Sequence, residues 1–185
     1  MAESENDPIE IFRERTLGYA RLIMRLRRAC LCLVWLRANT PVDSRVIPVE
    51  VFLAAYDALI ISYASCFAKS TEGLPKLEAK HVFKNKPELL EIHERAKLTR
   101  DSLVAHNGKN MAVVADVRVL PKDDFLKVEF CTRLTLPSRN ELSDLDQVIK
   151  HTYEHIDKKI KDFGKILQND IGKKVEISDS LGEVS

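Results

Sequence analysis

The sequence predicts a mainly α protein, an up-and-down helical bundle of about four long helices with a β-hairpin inserted before the last helix. Three observations carry this expectation. Apolar residues recur at three-four spacing over three long stretches, and a fourth stretch is apolar on nearly every side. Only between Met111 and Leu136 does the apolar period fall to two, the repeat of a strand. The 185 residues suffice for one domain with a sizeable core and no disulfide or metal staple.

Residues 1–7 are small, polar and acidic and are expected to form a disordered N-terminus. Pro8 suits a first helical turn, and Ile9, Phe12, Thr16, Tyr19, Ile23, Leu26, Cys30 and Leu33 trace a long amphipathic helix ending near Asn39. A loop with Pro41 and Asp43 leads to a second helix, from about Pro48 to Lys69, expected to be the most buried. Its stretch 49–68 is about long enough to cross a bilayer, but Glu50 and Asp57 within it favour a bundle helix. Residues 70–86 mix breakers and lysines and read as a connector with at most one short helical turn. Pro87 opens a third helix with Leu89, Ile92, Ala96, Thr99, Leu103 and His106 on one stripe.

The alternation Val113, Ala115, Val117, Val119, then Leu126, Val128, Phe130 beyond the turn at PKDD, predicts a hairpin over 111–136 with one buried face. Ser138 and Glu141 form a capping-box pattern, followed by Leu142, Leu145, Ile149, Thr152, Ile156, Ile160, Phe163 and Leu167. This last helix is expected to fray near Asn169 to Gly172, leaving residues 173–185 as a disordered tail. The folded unit is thus 8–172.

The 29 basic and 28 acidic residues leave a formal net charge of +1, so any nucleic-acid contact must come from a local patch. Four cysteines, Cys30, Cys32, Cys66 and Cys131, lie in apolar stretches without a CxxC pair, which points to a reduced, cytoplasmic setting and core roles. HTYEH, His151 to His155, has the H-x-x-E-H spacing of inverted zinc peptidases. Only about thirty residues follow it, whereas those enzymes need a larger fold and a distant third ligand. Two solvated histidines on a helix flank are expected instead, with no metal and no cofactor.

The stretch RDSLVAHNG, Arg100 to Gly108, ends the third helix at Asn-Gly. On an ideal helix Arg100 and His106 are about 240° apart in rotation and about 9 Å along the axis. One helix does not bring them into contact, but a two-fold copy places each arginine near the partner's histidine. A histidine titrating near neutrality moves a proton from a ribose 2′-OH or toward a leaving 5′ oxygen, and an arginine fork holds the phosphate. Asp101 could orient Arg100, and Asn107 could bond substrate. The alternative is structural: His106 meets the last carbonyls of the helix, and Arg100 pairs with a carboxylate.

This stretch resembles the signature of the HEPN superfamily (higher eukaryotes and prokaryotes nucleotide-binding), in which an arginine, usually followed by Asn, Asp or His, precedes a histidine by four to six residues. Arg100, Asp101 and His106 match it, and the helices on either side fit. The resemblance implies a small bundle that dimerises to form a metal-independent endoribonuclease site, often in toxin-antitoxin or phage-defence systems. Arg100 and His106 would then be catalytic and Asp101 supporting, RNA the substrate, and an antitoxin or regulatory protein a further partner. A non-catalytic RNA-, nucleotide- or protein-binding module on the same scaffold is the alternative.

Two further groups are candidates. Asp57 lies in the most apolar helix, where a carboxylate needs a partner; Arg100 is one, and an arginine of the first helix another. Arg21, Arg25 and Arg28 recur at helical spacing and could track an RNA backbone, or simply form a solvated or ion-paired face.

Overall fold

The computed structural model describes residues 7–39, 48–68, 75–104, 113–121, 126–134 and 136–177. It is mainly helical. Asp7 caps the first helix, α1 (Pro8–Ala38), by accepting a hydrogen bond from the Ile9 amide at 3.0 Å, and Pro8 occupies a position whose amide needs no partner. Next come α2 (Val49–Ala64), a single 3-10 turn (Ser65–Phe67) and the short α3 (Ala79–Val82). After α4 (Pro87–Val104), the strands β1 (Val113–Pro121) and β2 (Leu126–Leu134) pair antiparallel, with Val117 opposite Phe130. The last helix is α5 (Arg139–Ile171). It starts in a complete capping box between Ser138 and Glu141 and ends at Gly172 in the left-handed conformation that favours glycine.

Side-chain contacts show that the four long helices run alternately up and down. Trp35 of α1 lies 6.3 Å from Phe52 of α2, while Arg25 donates to the Ser65 carbonyl at 2.7 Å. Tyr63 of α2 meets His93 of α4, and Arg95 of α4 pairs with Asp144 of α5 at 3.2 Å. Arg37 and Asp146 close the ring between α1 and α5 at one level, Tyr19 and Phe163 at another. Thus α1 packs on α2 and α5, and α4 packs on the same two helices from the opposite corner. Leu22, Leu26, Leu33 and Leu36 of α1 meet Leu59, Ile60 and Tyr63 of α2 and Leu142, Ile149 and Ile156 of α5 in one core.

Several expectations are corrected. The three-four spacing on α1 rightly places Leu26 and Leu33 in the core, but Tyr19, Ile23 and Cys30 only pack along its edge, Ile9 is exposed, and the buried stripe is Gly18, Leu22, Leu26, Ala29, Leu33 and Leu36. The helix is apolar over a wide arc, and the stripe that α2 and α5 jointly cover overlaps the predicted one without coinciding with it. Helix α2 ends in a 3-10 turn at Phe67 rather than continuing to Lys69. Over Val49–Phe67 it is long and apolar enough to cross a membrane, yet Phe52, Tyr56, Leu59, Ile60 and Tyr63 are buried in the bundle. Near the turn of the hairpin the directly opposed Val119 and Val128 are 55% and 49% exposed. Among the described residues the two strands contact chiefly each other. Val175 and Ile177, expected in a disordered tail, lie against Gly164; a Cβ there would come within 2.7 Å of Ile177 Cδ1.

Replacing Ser138 by alanine removes the oxygen that accepts the Glu141 amide at 3.1 Å. Stability measured by urea denaturation is expected to fall by about 1 kcal/mol. An unchanged midpoint would show that the capping box contributes nothing to α5.

Candidate functional site

The candidate site is the C-terminal end of α4. Arg100 stands just before the last turn of α4, and its side chain is 24% exposed. Its guanidinium donates through Nε to Asp101 Oδ1 at 2.8 Å, and a terminal nitrogen reaches the same oxygen. Successive residues do not face each other on a helix, so the arginine side chain must curl sideways along the helix surface to make this pair. The pairing also offsets an acid at the unfavourable end of the helix dipole. The position expected for His106 and that for Asn107 lie outside the described residues.

The expected partnership of Asp57 with Arg100 is not made. Asp57 is half-buried on α2, and burial raises its carboxyl above the usual range, with no cation among the described residues pulling it down. Arg100 is engaged by Asp101 instead. One turn earlier on α4, a shallow cleft between α2, α4 and α5 is lined by Tyr56, Arg95, Thr99, Glu141 and Asp144. Burial first, then Glu141 and Asp57, pushes the Tyr56 phenol up to about 12. With Arg95 held by Asp144, this cleft presents carboxylates rather than a seat for phosphate.

The arginines of α1 divide. Arg25 is a structural residue: it donates to the Ser65 carbonyl and ties α1 to the end of α2. Arg21 and Arg28 are exposed, on a helix that sits at the opposite corner of the bundle from α4. They are therefore not contiguous with Arg100.

Neither histidine of HTYEH is fully solvated as expected. His151 donates through Nε2 to the Val82 carbonyl at 3.0 Å, which leaves Nδ1 to accept from Lys86 at 3.4 Å. His155 is half-buried, and burial followed by Lys159 lowers its pKa. Among the described residues no group of three or more His, Cys, Asp or Glu side chains is placed to hold a metal.

The sequence reading missed His93. It is 2% exposed, 2.9 Å from the Tyr63 hydroxyl through Nδ1, and packed against Phe67 and Phe83. The Thr152 hydroxyl is also within reach of Tyr63. Its position four residues after Leu89 and three before Ala96 was the available signal. The chain matches no family of known proteins, no curated protein and no solved structure.

Burial, only partly offset by Glu94, lowers the His93 pKa to about 4. The unfolded chain takes up this proton near pH 6.5, before the folded one does, so stability is full above that pH and falls as pH drops toward 4. Denaturant unfolding across this window should show a loss on the order of 3 kcal/mol in the wild type that is absent in His93→Gln. Parallel pH profiles for the two proteins would contradict a buried neutral His93.

Proposed function

We propose that this protein is a HEPN-like, metal-independent endoribonuclease or ribonuclease toxin, acting in phage defence or stress, with a composite Arg100/His106 site at a homodimer interface. The observation that carries the reading is the placement of Arg100, with Asp101 as its orienting partner, near the C-terminal end of α4 in an antiparallel four-helix bundle. A histidine six residues further on completes the motif.

In this reading Arg100 holds the scissile phosphate and Asp101 keeps its fork aimed. His106 of the second copy takes the proton of the ribose 2′-OH as the 2′ oxygen attacks phosphorus and the bond to the 5′ oxygen breaks. The products are a 2′,3′-cyclic phosphate and a 5′-hydroxyl, and the 5′ oxygen gains the proton. Asn107 supplies a further hydrogen bond to RNA. The chemistry requires no cofactor and fits a cytoplasmic protein. A second reading is a non-catalytic module that binds RNA, nucleotide or protein, and the same ion pair favours its protein-binding form, because Asp101 occupies part of the fork that a phosphate would need.

Incubating the purified protein with mixed-sequence RNA in EDTA decides between them. Cleavage is expected, with Arg100→Ala and His106→Ala each slowing it at least 100-fold. Intact RNA, or cleavage by both variants at the wild-type rate, would leave only the binding module.

A further inference from the structure

Helix α1 carries a second apolar seam on the side away from the core. Leu17, Met24 and Leu31 recur at seven-residue intervals and, with Val34, are 51%, 55%, 72% and 65% exposed. Arg27 falls between Met24 and Leu31, and Arg21 and Arg28 follow the seam along one edge. The row runs about 26 Å, roughly five helical turns. The core does not require it, since Leu22, Leu26, Ala29, Leu33 and Leu36 already bury the opposite side. Several large apolar side chains held in water in one line mark a surface made to be covered.

We infer that this seam docks an acidic amphipathic helix of a partner protein. The seven-residue period is that of a helix packing knobs into holes, with Leu17, Met24 and Leu31 at one seam position and Val34 at the other. The charges choose among occupants. An antiparallel second copy would set Arg21 and Arg28 against their own equivalents. A lipid surface would meet only a narrow stripe here, whereas lipid-binding helices offer a broad apolar face. RNA would engage the arginines but leave the leucines and methionine in water. A helix with apolar residues at its seam and glutamates or aspartates beside it satisfies both sets. The surface is independent of Arg100 and of any RNA cleavage.

The test uses the full-length protein and a synthetic peptide about three heptads long, with leucine at both seam positions and glutamate flanking them, measured by calorimetry. Binding is expected, lost more than 10-fold in Met24→Glu/Leu31→Glu and in Arg21→Glu/Arg28→Glu. A matching lysine peptide should bind only the charge-reversed Arg21→Glu/Arg28→Glu protein. Circular dichroism of both variants should be that of the wild type, because these side chains are exposed. Four outcomes would overturn the inference. They are equal binding of both peptides, no binding of either, a homodimer that Met24→Glu/Leu31→Glu dissociates, or anionic vesicles captured while the acidic peptide is not.

Discussion

The hydrogen bond between Tyr63 and His93 is the interaction on which the arrangement of this bundle depends. Tyr63 has no exposed surface, and its hydroxyl lies 2.9 Å from His93 Nδ1 while also facing Thr152. One phenol therefore joins α2, α4 and α5, and Phe67 and Phe83 wall the imidazole off from water. A buried polar pair of this kind tolerates little sliding, because a slip of α4 would leave two polar groups dry and unpaired. Arg100 stands seven residues after His93, two turns along the same side of α4. The register set at His93 thus fixes where Arg100 emerges at the helix end, and why it is only part-exposed.

Legibility from sequence followed how one-sided each helix is. Helix α5 separates its apolar and charged sides cleanly, and Leu142, Leu145, Ile149, Thr152, Ile156, Ile160 and Leu167 are all buried as its spacing predicts. Only Phe163 stays half-exposed, its ring tilted against Tyr19 and beneath Arg15. Helix α1 is apolar over a wide arc, so its periodicity found Leu26 and Leu33 but centred the buried stripe on Tyr19, Ile23 and Cys30, which only edge the core. A histidine breaks an apolar pattern on paper, so His93 escaped notice although it lies on the buried face of α4. The partnering of Asp57, Arg25 and Arg100 depends on which helices are neighbours, and spacing within one helix carries no such information.

The bundle separates two surfaces of different character. The end of α4 offers a cation steered by a carboxylate, beside a cleft rich in further carboxylates. The outer side of α1, at the opposite corner, offers an apolar line edged by arginines. With a formal net charge of only +1, neither draws on a global field, and both rely on local placement. The two surfaces are thus physically separate within one fold.

The composite site is the central claim, and chain complementation tests it most directly. In a dimer of one Arg100→Ala chain with one His106→Ala chain, one of the two clefts keeps an intact arginine from one subunit and an intact histidine from the other. Each variant alone should be inactive toward RNA in EDTA, and mixing them under conditions of subunit exchange should restore cleavage to about a quarter of the wild-type level, the share expected when half the dimers carry one of two sites. A mixture that forms mixed dimers and remains inactive would contradict a site shared between chains.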